Sequence, residues 1–434
     1  MFDCFGCGVR QTDRDRGSSE AESNDPSTTP SEEVTVSYEP SHKMTAVTHT
    51  DDPEYDLLKP HDLVQFLIDA NIRLVSLRYL MDLHAAGRLW RRRQEAEQEL
   101  VSMDEIENLK QATFCPSPAP LRGDLVGSRR GGAFNRSNSG QNPVRIYAIS
   151  HCWEAQQHPD PFGFQCSKLV GWFASDGASI ERIGFMHPDS TWLFIDYICL
   201  PQYQRTEDEQ VSFSRAMKAM HVLYAHAAIY HVIRLEDIAP SPHFPMPKFI
   251  EIYCESTSKV ELRPFAELAL NRVPYSQRGW CIAEVQWMST KDSIFGYAPL
   301  TPAMFQERVK RGLEGRQDGL TLKFTHRDDL HNVVRLQEAV FLKHSQRRKK
   351  LEAYDLPLQE LQVLAETLPH FVNLEVLRVV WHEADVGLFD SCIAILKPVI
   401  ARCTRLSEAT VLVLVINEIS DTKEISRYAD LLLT

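Results

Sequence analysis

Glu284 is the residue whose neighbours most demand a chemical reason for it. Residues 278–288 read Arg-Gly-Trp-Cys-Ile-Ala-Glu-Val-Gln-Trp-Met. Turned as an α-helix at about 100° per residue, Trp280, Cys281, Ala283, Val285, Trp287 and Met288 cover one broad arc around the carboxylate. A carboxylate among two tryptophans and a methionine is costly to desolvate unless it is paired, protonated or exposed in a cleft. Glu284 is therefore either a structural ion pair with Arg278, Arg145 or Arg272, or a group that does chemistry. Ser150 and His151 end one apolar run and Asp196 ends another. The three suggest a hydrolase triad, but adjacent residues on a strand point to opposite faces, which argues against it. Asp196 sits where an acidic residue either caps the following turn or touches ligand. Cys199 and Cys281 lack an evident cationic partner and read as core thiols. His151, Cys152, His158 and Cys166 lack the paired spacing of metal ligands, so no metal is expected.

These residues have to be positioned by alternating elements. Residues 144–149, 192–195, 228–233 and 293–297 are short apolar runs of strand length, with helical candidates near 168–174, 212–226 and 278–289. Such alternation predicts an α/β domain over 144–315, a parallel sheet with helices on both faces. Ligands in these folds bind at the carboxyl ends of strands, where Ser150, His151 and Asp196 fall. Residues 236–274, with several prolines, read as an insertion.

Upstream, 1–55 is polar and predicts a disordered tail. A helical module follows over 56–115, with Asp62 as a helix cap, Gly87 as a C-terminal glycine, and Ser102 and Glu105 at capping-box spacing. Residues 116–143 predict a flexible linker. Downstream, in 316–434, the pattern Leu374-x-x-Leu377-x-Val379-x-x-His382 recurs as Ala409-x-x-Leu412-x-Leu414-x-x-Asn417. That resembles leucine-rich repeats, with a small α/β subdomain as the alternative.

A net charge of -12 over 434 residues argues against a general nucleic-acid binder. The basic clusters Arg91-Arg92-Arg93 and Arg347-Arg348-Lys349-Lys350 read as solvated helix ends. The ten cysteines are scattered, and neither a disulfide framework nor a zinc site follows from their spacing. Reduced thiols, no signal peptide and no long apolar span predict a cytoplasmic protein. Membrane contact would need palmitate on Cys4 and Cys7, beside Phe2 and Phe5; residue 2 is not glycine, so myristoylation is excluded. Otherwise Cys4 and Cys7 are free terminal thiols.

The order of motifs over about 144–297 resembles the heterokaryon-incompatibility (HET) domains and, through them, the Toll/interleukin-1 receptor (TIR) domains. Ala148-Ile-Ser-His-Cys-Trp-Glu154 resembles the family's Ser-Tyr-x-Trp-Gly strand end. Trp192-Leu-Phe-Ile-Asp-Tyr-Ile-Cys-Leu-Pro-Gln202 resembles its Trp-Ile-Asp-x-x-Cys-Ile-Asn-Gln. Arg278-x-Trp280-x-x-x-Glu284 resembles its Arg-x-Trp-x-x-x-Glu, and Trp280-Cys281-x-x-Glu284 also matches the spacing in plant-type TIR domains. The chain departs from the pattern at His151, Glu154 and Leu200-Pro201.

The resemblance implies a TIR-like, flavodoxin-type sheet and Glu284 as the catalytic carboxylate of an NAD glycohydrolase, with NAD as substrate and no cofactor. Nicotinamide leaves as a neutral molecule from a cationic pyridinium, so no general acid is required. One carboxylate suffices to stabilise the ribosyl oxocarbenium or hold the ribose hydroxyls. Trp153 or Trp280 would stack on a ring, Ser150 would meet phosphate, and His151 and Asp196 would line the pocket. The resemblance further implies a signalling protein that acts on self-association, with a protein partner for the C-terminal region. The alternative is a non-enzymatic interaction scaffold.

Overall fold

Two sheets, rather than one, organise the chain. The computed structural model describes residues 54–116, 132–136, 142–180, 187–240, 248–317, 319–324, 329–382, 386–417 and 422–431. The expected disordered tail, with Cys4 and Cys7, and most of the expected linker lie outside the described residues.

Toward the N-terminus lie α1 (Pro60–Asp69), β1 (Val75–Ser76), α2 (Leu77–Ala85), α3 (Arg93–Ala96) and α4 (Met103–Asn108), then an antiparallel pair of β2 (Thr113–Cys115) and β3 (Ala133–Asn135). The central stretch holds β4 (Arg145–His151), α5 (Phe164–Ile180), β5 (Thr191–Phe194), α6 (Asp196–Cys199), α7 (Glu207–Lys218), α8 (Val222–Ala225) and β6 (Ile229–Leu235). A hairpin of β7 (Phe249–Cys254) and β8 (Lys259–Pro264) occupies the expected insertion before α9 (Gly279–Met288). There follow β9 (Ser293–Phe295), α10 (Pro302–Leu313), α11 (Asp329–Arg347), β10 (Lys350–Tyr354), α12 (Leu358–Thr367), β11 (Val376–His382), α13 (Val386–Ile400), β12 (Glu408–Asn417) and β13 (Thr422–Asp430).

The first sheet has the order β1-β5-β4-β6, with β4 parallel to both β5 and β6 and β1 antiparallel to β5. The first parallel strand is thus central, with the second and third on either side. A crevice opens at the carboxyl end of such a strand, where the connections diverge. All but the first residue of β4 are buried, as a strand covered on both faces requires. Tyr147 packs edge-on against Phe173 of α5, whereas Ser150 faces α9, so helices cover both sides of the strand.

The fourth expected strand does not join this sheet. Residues 293–295 form β9, which pairs in parallel with β10 in a second sheet of order β13-β12-β11-β10-β9. β9 is the edge strand of that sheet, and Gly296, at φ 68°, turns the chain out after three residues. On the side of the first sheet, Lys291 Nζ donates to the Ile229 carbonyl at 2.6 Å. The two repeat-like copies become β11 and β12, adjacent and parallel, with α13 between them and β13 returning antiparallel. The protein is therefore a mixed α/β fold built on parallel strands.

The N-terminal helices are tied into the first sheet through β1. Asp62 does not cap α1; Lys59 holds that position before Pro60, and the Asp62 carboxylate accepts from the Asp56 amide at 2.7 Å inside the first turn. Proline at the first helical position explains the earlier start, since its missing amide needs no partner there. Gly87 is at φ 60° just past α2, and Ser102 and Glu105 form a full capping box on α4. One hydrophobic core runs from Tyr55 through both sheets to Leu431. Among the described residues no helix is long and apolar enough to cross a membrane.

Candidate functional site

Helix α9 is apolar on every side. Cys281, Ile282, Ala283, Val285 and Trp287 are all buried, so the helix is a core element wedged between β4 and α11. Its first residue is Gly279 because a Cβ there would stand 2.1 Å from the Phe324 ring. Arg278, the residue before it, is buried and spends its guanidinium on carbonyls. Nε donates to Val273 at 2.8 Å, one terminal nitrogen to Trp153 at 2.6 Å and the other to Asn271 at 3.2 Å. Arg278 thereby straps the turn after β4 to the end of the insertion.

Glu284 is only partly buried and points from α9 to the carboxyl end of β4. Ser150 Oγ donates to one carboxylate oxygen, and Ser150 in turn shares a hydrogen bond with the Tyr275 hydroxyl. The Tyr224 hydroxyl, from α8, also lies near enough to favour the Glu284 carboxylate. None of the three candidate arginines pairs with it. Arg278 is engaged as above, Arg272 donates to the Ala239 carbonyl, and Arg145 lies over the Tyr230 ring. Burial pushes the Glu284 carboxyl up to about 8, the Asp196 charge acts in the same direction, and the Ser150 and Tyr224 hydroxyls only partly oppose them.

His151 leaves the other face of β4. Its Nε2 lies 2.9 Å from Asp196 Oδ1 and its Nδ1 lies 3.0 Å from Gln165 Oε1. The Gln165 amide nitrogen is already committed as a donor to the Cys152 carbonyl and to Glu154, so its oxygen is what faces His151. Both ring nitrogens therefore meet acceptors, which the imidazolium satisfies and neither neutral tautomer can. Burial favours the neutral ring, but the charge and hydrogen bond of Asp196 outweigh it and hold the His151 pKa above the ordinary value. Burial likewise works against the Asp196 charge. His151, Trp153 Nε1 at 2.9 Å and the Tyr197 amide at 2.6 Å outweigh it and keep that carboxyl below the usual range.

The structure thus brings Ser150 and Glu284 together, and His151, Trp153 and Asp196 beside them. Ser150 and His151 point to opposite faces, so no Ser/His/Asp triad forms. Trp280 is placed elsewhere: its Nε1 donates to Asp329 at 3.1 Å and its ring meets Trp287 and Phe324 edge-on, toward α11. A cavity of about 440 Å³, including open solvent, lies between β6 and β9, lined by Tyr230, Arg234, Met288, Lys291, Phe295 and Tyr297, and does not include Glu284. Among the described residues no group of three histidine, cysteine or acidic side chains could hold a metal ion. Tyr224, Tyr275 and Gln165 complete the site and carry no spacing signal, because each arrives from a separate element; Tyr275 alone stands close in sequence to the Arg-x-Trp motif. No family model, curated protein or solved structure matches the chain.

Proposed function

We propose that the first α/β domain is a TIR/HET-like signalling domain that cleaves the nicotinamide–ribose bond of NAD, with Glu284 as the catalytic carboxylate. The observation that carries the reading is a partly exposed glutamate at the carboxyl end of the central strand, held by the Ser150 hydroxyl and by no arginine. In its ionised form Glu284 stabilises the ribosyl cation as neutral nicotinamide departs; a cationic ring bound beside it favours that form. His151 and Asp196 cancel each other's charge and hold Trp153 at the mouth, where it stacks on the ring. The strand order β5-β4-β6 supports a flavodoxin-type connection, and the adjacent parallel β11 and β12 support a leucine-rich-repeat-like surface for a protein partner. Self-association of the domain controls turnover in this reading.

One observation favours the alternative of a non-enzymatic scaffold. With its pKa at about 8, Glu284 is mostly protonated at neutral pH. Nicotinamide release from NAD, measured at high protein concentration with a crowding agent, separates the two. Turnover in the wild type and its loss in Glu284→Gln, with folding and oligomer size kept, is the expected result. Self-association without turnover in either protein leaves the scaffold.

A further inference from the structure

Cys152 and Cys281 share a small buried cluster with Tyr275 and Val285. Cys152 directly follows β4, two residues on from Ser150, and Cys281 lies in the first turn of α9, one turn before Glu284. The Cys281 thiol donates toward the carbonyl of His151, the residue directly before Cys152, at 3.5 Å, and the two thiols pack in the same buried cluster. We propose that Cys152 and Cys281 form a reversible dithiol–disulfide site that clamps the carboxyl end of β4 to the first turn of α9.

The other buried thiols of this region lack such a partner. Burial pushes Cys166 and Cys199 each up to about 12, which keeps them protonated and inert. Cys152 is drawn down instead, first by the neighbouring Cys281 thiol and then, against burial, by Arg278 and His151. Arg278 is fixed there by its bond to the neighbouring Trp153 carbonyl. Cys281 moves up, through the same thiol contact and burial, and keeps its proton. Cys152 lies between the cationic His151 and the Trp153 carbonyl that holds the Arg278 guanidinium, so Cys152 is the attacking thiolate and Cys281 the resolving thiol.

The oxidant is a hydroperoxide. The Cys152 thiolate attacks its terminal oxygen, the O–O bond breaks, and the departing oxygen takes up the proton released by Cys152, leaving a sulfenic acid. The Cys281 sulfur then displaces that hydroxyl, which leaves as water with the Cys281 proton, and the S–S bond forms. Two thiols are oxidised by two electrons, and hydrogen peroxide is reduced to two waters. Nothing in this chemistry needs NAD cleavage, so failure of either reading is visible without the other.

The test is to treat the full chain with hydrogen peroxide, alkylate it, digest it and map the thiols by mass spectrometry. Expected is a dithiothreitol-reversible peptide pair joining Cys152 to Cys281, with amide exchange in the first turn of α9 slowed by about tenfold. Cys281→Ser is expected to accumulate a dimedone-trapped sulfenic acid on Cys152. The proposal is overturned if, at peroxide levels that oxidise the exposed Cys115, wild-type Cys152 and Cys281 are recovered as free thiols or as singly oxidised residues with no linked peptide.

Discussion

Ionising Glu284 works against folding. Its folded pKa, about 8, lies above its ordinary 4.5, so folding prefers the acid form. Stability is fully present below about 4.5, declines as pH rises toward 8, and levels off above it. Glu284→Gln removes that loss. At pH 9 the variant should be more stable than wild type by about 1–3 kcal/mol, a figure reduced for the partial exposure of the side chain, and near parity at pH 4. Chemical denaturation at the two pH values measures it, and a less stable variant at pH 9 would instead make Glu284 a structural anchor. The proposed NAD cleavage would run the other way: if the Glu284 carboxylate acts as proposed, kcat/KM should climb with pH and flatten above about 8.

The His151–Asp196 pair has the opposite character. The raised histidine contributes stability below its ordinary 6.5, lost as pH rises through the higher folded value. The depressed aspartate contributes above its ordinary 3.8, lost as pH falls through the lower folded value. His151→Ala strands Asp196 with one charged partner gone, and roughly 3–5 kcal/mol should disappear between pH 5 and 6. A loss near that of a plain cavity, flat with pH, would show that the ring is neutral.

Among the elements, α9 sets the precision of the site. Gly279→Ala drives a Cβ into the Phe324 ring and should cost about 1–3 kcal/mol, read as a lower Tm, with the proposed NAD turnover falling further than stability if Ser150 and Glu284 are pulled apart. Much of this element was legible beforehand. Helix 278–289 was expected where Gly279–Met288 stands, and β4 and β5 fall within a residue or two of the runs that predict them. Apolar runs and glycine-bounded helices depend on local periodicity, which a single sequence displays. The partners of Glu284 were less legible. An ion pair with Arg278, Arg145 or Arg272 is one of the two readings the sequence allows; Ser150 is the partner found, because backbone carbonyls claim Arg278 and Arg272 in the fold. Trp280 shares the helical arc with Glu284, but Asp329 of α11, distant in sequence, turns the indole away.

For the molecule as a whole, the boundary expected at residue 315 cuts through the packing. β9 precedes it and pairs with β10 beyond it, and α9 packs on α11. A protein ending at residue 315 should lose cooperative unfolding, because it bares the apolar face of α9 and leaves β9 without a neighbour. A sharp calorimetric transition from that fragment would contradict the continuous core. No sequence pattern announces this, since strand length and hydrophobicity say that a segment will pair, and only topology says with what.

The pairing of β9 with β10 also sets an order of events during synthesis. At about 5–20 residues per second, β9 leaves the ribosome several seconds before the strand it pairs with. The nascent chain therefore presents β4, β5 and β6 as a finished sheet while α9 waits for α11 to cover it. Glu284 reaches its final surroundings only once α11 and β10 have been made, so a product that stops before residue 329 carries the residues of the candidate site without the site.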